Sequence, residues 1–214
     1  MFMKKYIAEF VGTFFLVFVV GLAVANAGTM APMAIGFALM VMVYAGGHVS
    51  GAHYNPAVTL GLVLSKKINM SELAPYWISQ LSWGLVAAFL ASMIVGKSLV
   101  FAPGAGVNIG SAMLVEILFT FALVYVVLNV AASKSTEGNS YYGLAIWSTV
   151  LVAAYAGGSI SGGAFNPAVG ISHVIIHMVM GWGSLIPIRL YIVWPLTGGA
   201  LASFIYSLTA WVKD

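Results

Sequence analysis

The chain has 214 residues, 62% hydrophobic and 6% charged, with a formal charge of +3 and no cysteine. A mean hydropathy of +1.04 is more apolar surface than a soluble core of this size can hide, so lipid must replace water around much of the chain. The charge is too small to argue for nucleic acid, and disulfides are excluded.

In chain order, the first predicted element is an apolar helix over 5–27, preceded by Met1-Phe2-Met3-Lys4 and opened by Lys5. That start looks like the n-region of a signal peptide. The apolar run from Tyr6 to Ala27 is long enough to span, however, and no small-residue cleavage site stands out, so it reads as a retained first span. Further spans are expected over 31–47, 73–96, 109–132, 141–157 and 183–211. Two more apolar stretches, 55–65 and 166–178, are too short to cross. The breaks at Ala27–Thr29, Lys66–Ser71, Lys97–Asn108, Ser133–Ser140 and Met180–Ser184 carry the Gly, Ser, Asn and Lys of turns.

Both short stretches open on one phrase. Tyr54-Asn55-Pro56-Ala57-Val58 recurs as Phe165-Asn166-Pro167-Ala168-Val169, each after a Gly/Ser-rich approach. Asn as N-cap and Pro at the first helical position signal a helix start. A helix that starts in mid-membrane aims unpaired N–H groups, worth about half a positive charge, at the bilayer centre. Each Asn can cap its own helix with its carbonyl and turn its NH₂ toward a pore. Two such helices entering from opposite faces form a barrier to cations and protons.

The phrase belongs to a larger repeat. Ala8-Glu9-Phe10-Val11-Gly12-Thr13 is matched by Val115-Glu116-Ile117-Leu118-Phe119-Thr120. The halves, 1–97 and 108–214, hold three spans each, an odd number, so they insert with opposite topology. Residues 1–214 thus read as a single all-α membrane domain of six transmembrane helices plus two re-entrant half-helices. Lys4, Lys5, Lys66, Lys67, Lys134 and Lys213 fall on the side of the termini, and Lys97 and Arg189 toward the other, which places both termini in the cytoplasm.

These residues resemble the aquaporin (major intrinsic protein) family over nearly the whole chain. The resemblance rests on Ala8–Phe14, His48–Thr59, Gln80, Glu116 and Ser161–Ala168. It implies a homotetramer in the cell membrane with one pore per protomer, passing water and small neutral solutes. It also implies four filter positions, which fall here on Ile35, Ala154, Gly163 and Val169. Family members usually have Arg where this chain has Val169, and water-selective members resemble Phe, His, a small residue and Arg at the four places. The filter implied here is wide and apolar. Glycerol, urea or metalloid acids become candidate solutes, since some members associated with arsenic resistance also have Val in place of that Arg.

Glu9 and Glu116 are the acids set well inside spans. They serve either a proton relay or, the favoured reading, as acceptors for loop N–H groups. His48 and His53 are expected to support the first loop by bridging its carbonyls rather than to gate by pH. His173 and His177, spaced i, i+4, are expected to pack or line a mouth; two ligands alone do not make a metal site. Arg189 is expected to snorkel, with a displaced filter charge as the alternative. Gly12, Gly84, Gly143 and Gly199 look like close helix contacts. No nucleophile–base pair, metal cluster or phosphate loop appears, so neither enzyme chemistry nor a cofactor is expected. The leading function is a passive channel. The alternative is an ion-coupled secondary transporter, which also uses inverted repeats and broken helices.

Overall fold

A computed structural model describes residues 2–181, 183, 185 and 187–210. Lys213, one of the orienting lysines, lies outside the described residues. Among the described residues six helices are long and apolar enough to cross a membrane: α1 (Phe2–Asn26), α2 (Ala31–Ser50), α4 (Leu73–Val95), α5 (Ile109–Val130), α6 (Tyr142–Ser161) and α8 (Ile188–Thr209). Two short helices, α3 (Pro56–Leu64) and α7 (Pro167–Val179), stand between them. The spans predicted at 5–27 and 109–132 fit closely. The predicted 183–211 begins later, at Ile188, because Pro187 fixes the N-cap. Among the described residues there is no strand.

The side chains are sorted against lipid rather than water. Ile7, Val11, Phe15, Leu118, Val152 and Phe204 are exposed on the outer faces. The interior instead holds Glu9, Thr13, Gln80, Glu116, Thr120 and His173. Backbone polar groups at membrane depth must be satisfied inside the protein, which explains why polar side chains gather around the two interruptions.

Each half-helix seats on the long helix that ends the other half. α3 packs on α8 and α7 on α4. Glycines make both seats. A Cβ at Gly199 would lie 2.7 Å from the Ala57 carbonyl oxygen, and one at Gly84 would lie 3.2 Å from that of Ala168. Gly12 is filled by the Tyr54 ring, and a Cβ at Gly143 would lie 2.7 Å from the Tyr44 ring. All four glycines singled out in the sequence are therefore close-contact points.

Candidate functional site

α2 and α6 end alike. Gly51 (φ 83°) and Gly162 (φ 93°) take the left-handed cap conformation and turn the chain back into the protein. The next residues run inward to Asn55 and Asn166. Ala52, Tyr54 and Phe165 have φ between 47° and 51°, a region that side chains other than glycine rarely adopt. Such strain persists only where neighbours over-determine it. Here the neighbours are the buried carboxylates.

Glu9 Oε1 accepts from the Ser50 hydroxyl at 2.7 Å and the His53 N–H at 2.8 Å. Its Oε2 accepts from the Tyr54 N–H at 2.7 Å and the Gln80 amide at 2.8 Å. Glu116 repeats the design: Oε1 takes the Ser161 hydroxyl (2.7 Å) and the Ala164 N–H (3.0 Å), and Oε2 the Phe165 N–H (2.8 Å). Every one of these partners donates, which is how a carboxylate fixes irregular backbone inside a membrane. Tyrosines brace both loops from outside. Tyr76 donates to the Ser50 carbonyl and Tyr191 to the Ser161 carbonyl, each at 2.7 Å.

The loops deliver two asparagines to one place. The Asn55 side chain accepts from the Ala57 N–H and that of Asn166 from the Ala168 N–H, each at 2.9 Å, so each caps its own half-helix. Each amide NH₂ then crosses to the other loop. Asn55 Nδ2 donates to the Phe165 carbonyl at 3.0 Å, and Asn166 Nδ2 donates to the Tyr54 carbonyl at 2.9 Å. The sequence alone predicts both amide hydrogens directed at the pore. One of the two on each side instead stitches the loops together, and the second is left for the cavity.

That cavity holds about 240 Å³ and runs past both amides. Ile35, Ala154, Gly163 and Val169 all lie on its wall, as do His53, Asn55 and Asn166, the only polar side chains among the described residues that line it. A second cavity of about 590 Å³ lies where α2 and α5 end and α6 begins, lined by His48, Lys134, Glu137 and Asn139 among others. The two cavities share Ile146.

The histidines separate. His53 is buried, stacked on Tyr76 at 4.5 Å, with Nδ1 3.1 Å from the Thr59 hydroxyl. His48 sits exposed on the last turn of α2 and lines the second cavity. Of the two histidines expected to support the loop, His53 is thus buried in the loop itself, whereas His48 stays on the helix before it. His173 is buried, with Nδ1 2.9 Å from the Val169 carbonyl oxygen, whereas His177 Nδ1 lies 2.6 Å from the Ser98 hydroxyl. Among the described residues no three His, Cys, Asp or Glu side chains are grouped as a metal site would need. Arg189 is exposed at the start of α8 and is not among the described residues that line the cavity.

Two features escaped the sequence reading. Tyr76 and Tyr191 occupy matching places in α4 and α8, and aligning the third span of each half would have paired them. Phe101, in the loop between α4 and α5, is 5% exposed and lines the cavity. A lone aromatic in a turn-rich segment was the available signal.

Comparison with known proteins agrees with this geometry. The model of the family described as "Major intrinsic protein" matches residues 1–206. The chain is 34% identical to "Aquaporin NIP1-1" of Zea mays, over 97% of this chain and 75% of that protein. It is 35% identical to "Glycerol uptake facilitator protein-like 6" of Lactiplantibacillus plantarum, over 94% and 96%. The fold is similar to that of a solved aquaglyceroporin from Plasmodium falciparum, with TM-score 0.84, 20% identity, and 98% and 97% of the two chains covered.

Proposed function

Because this chain belongs to the major intrinsic protein family, a family of channels rather than enzymes, we propose a specific filter for its passive conduction of water and small solutes. Ile35, Ala154, Gly163 and Val169 form the outer filter, wide and apolar, and admit neutral solutes larger than water such as glycerol, urea or arsenous acid. The observation that carries this reading is the shared cavity: all four residues line it with the two cross-linked asparagines, and none of the four brings a charge or a side-chain donor.

The central pair sets what is refused. Two half-helix N-termini present partial positive charge to the cavity from opposite sides. One amide N–H from each Asn faces the solute file, so a water there donates outward and the proton wire is interrupted. Without a filter Arg, the exclusion of cations rests on this centre alone.

An ion-coupled transporter would need a titratable site facing the solute. Glu9 and Glu116 are buried and accept bonds from the loops and from Ser50, Gln80 and Ser161, which supports a structural role for both. The apolar outer faces suit the family's homotetramer. Lys4, Lys5, Lys66, Lys67 and Lys134 on the face of the chain ends support cytoplasmic termini in the cell membrane.

The test is purified protein in liposomes under an osmotic step, read by stopped-flow with water, glycerol, urea and arsenous acid. Passage of water and at least glycerol above empty vesicles is expected. A water-only profile would refute the wide filter, and shrinkage no faster than empty vesicles would refute an open channel.

A further inference from the structure

We infer that Tyr76 is a positioning residue for the solute path: its ring holds the His53 imidazole in place on the cavity wall and so sets the bore beside the asparagine pair. This rests on the channel reading above and deepens it. His53, Asn55 and Asn166 are the polar side chains among the described residues that line the cavity. Each asparagine is fixed at both ends of its amide. The His53 ring is tied at one edge, where Nδ1 lies 3.1 Å from the Thr59 hydroxyl. That hydroxyl donates to the Asn55 carbonyl at 3.2 Å and accepts from Gln80 at 3.0 Å. Its oxygen is left to accept, so Nδ1 carries the hydrogen between them. A tie at one edge is a hinge, about which an imidazole can swing toward or away from the cavity.

Tyr76 closes the hinge. Its ring lies against the face of the imidazole, with centroids 4.5 Å apart and planes 25° from parallel. Tyr76 is buried and is not among the described residues that line the cavity, so it backs His53 from within the protein. Its hydroxyl donates to the Ser50 carbonyl at 2.7 Å, which ties the same ring to the end of α2. Behind it stands Tyr6, edge-on with centroids 5.6 Å apart. The Tyr6 hydroxyl donates to Glu72 at 2.9 Å, and Glu72 pairs with Lys5 at 2.6 Å. A side chain backed in this way cannot give ground when a solute presses on His53. The second half separates this task from that of holding the loop. Tyr191 donates to the Ser161 carbonyl as Tyr76 does to that of Ser50, yet the residue matching His53 there is Ala164, which has no ring to hold. The loop brace is repeated and the stack is not. The aromatic face of Tyr76 therefore acts on the solute path through His53, apart from what its hydroxyl does for the loop.

The experiment separates the Tyr76 ring from its hydroxyl. Liposomes containing the parent protein, Tyr76→Phe, Tyr76→Leu, His53→Ala or the double variant Tyr76→Leu/His53→Ala are shrunk against glycerol, and each rate is divided by the water rate of the same vesicles. Tyr76→Phe keeps the stack and loses the bond to Ser50, so it should melt lower with its ratio at the parent value. Tyr76→Leu leaves space into which the imidazole can withdraw, and the glycerol-to-water ratio should rise about threefold, at the low end of coupling between residues in contact. In the His53→Ala background, Tyr76→Leu should add nothing to the ratio. A parent ratio in Tyr76→Leu, a rise of equal size with and without His53, or an equal rise in Tyr76→Phe would overturn the assignment. If Tyr76→Leu does not fold, Tyr6→Leu carries the test, since it removes the backing and leaves Tyr76: a raised ratio that vanishes in the His53→Ala background is expected, and a parent ratio overturns the assignment. Parent vesicles that pass no water would instead overturn the channel reading.

Discussion

The two buried carboxylates look equivalent in sequence but should not be equally replaceable by glutamine. In Glu116→Gln the side-chain NH₂ can take the Oε2 position, where it opposes one donor, the Phe165 N–H. The remaining oxygen keeps Ser161 and Ala164. In Glu9→Gln each oxygen already serves two donors. Placing NH₂ at Oε2 loses the Tyr54 N–H and forces Gln80 to turn its amide over. That turn sacrifices the 3.0 Å bond from Gln80 to Thr59. A bond to a charged acceptor contributes about 2 kcal/mol. A neutral bond such as that to Thr59 contributes about 1 kcal/mol, so Glu116→Gln should cost about 2 kcal/mol and Glu9→Gln about 3 kcal/mol. For a chain of this length these correspond to losses of roughly 6 °C and 9 °C in melting temperature. Thermal unfolding in detergent, followed by tryptophan fluorescence, measures both. Equal losses, or a larger loss for Glu116→Gln, would refute this counting of donors.

Val169→Arg should bring a guanidinium with five donors onto the cavity wall, lower glycerol and arsenous acid passage several-fold, and leave a reduced water flux; stopped-flow rates check it. Asn55→Ala and Asn166→Ala should each cost about 1 kcal/mol as lost caps. Both should raise proton leak after a pH jump in liposomes, since each removes a cavity donor and a stitch between the loops. Gly170→Ala should fail to reach the membrane in folded form or melt far below the parent. Its Cβ would collide with Tyr191, whereas Thr59, at the matching place in α3, is accommodated beside Gln80 and His53.

Much of this site can be read in the sequence because its signals are local and doubled. An Asn-Pro pair sets a helix start whatever surrounds it, and a Glu at the same place in each half identifies the acceptor that each loop requires. What could not be read is where long-range partners meet. The bond from Asn55 to the Phe165 carbonyl joins residues 110 apart, and no spacing rule predicts it. The halves also differ where hydrogen bonding can be exchanged for packing. The first uses His53, Thr59 and Gln80; the second has Ala164, Gly170 and Pro195 in those places, with Tyr191 packed against Gly170. His48 and His53 are equally polar on paper. The end of α2 at Ser50 separates them: His48 is exposed on the helix and His53 is buried in the loop beyond it.

The crossed seating of the half-helices constrains how the molecule is made. As the ribosome delivers the chain, α3 emerges long before its seat on α8, and the Asn55 amide precedes its acceptor at Phe165. The amino-terminal half must wait in the bilayer with an unseated re-entrant segment until the carboxyl-terminal half arrives. The cavity between the asparagines is lined by residues of both halves. Two separate copies of such a half, facing opposite ways, could satisfy each other by the same exchange. A gene duplication that fused them would make a partnership between molecules permanent within one.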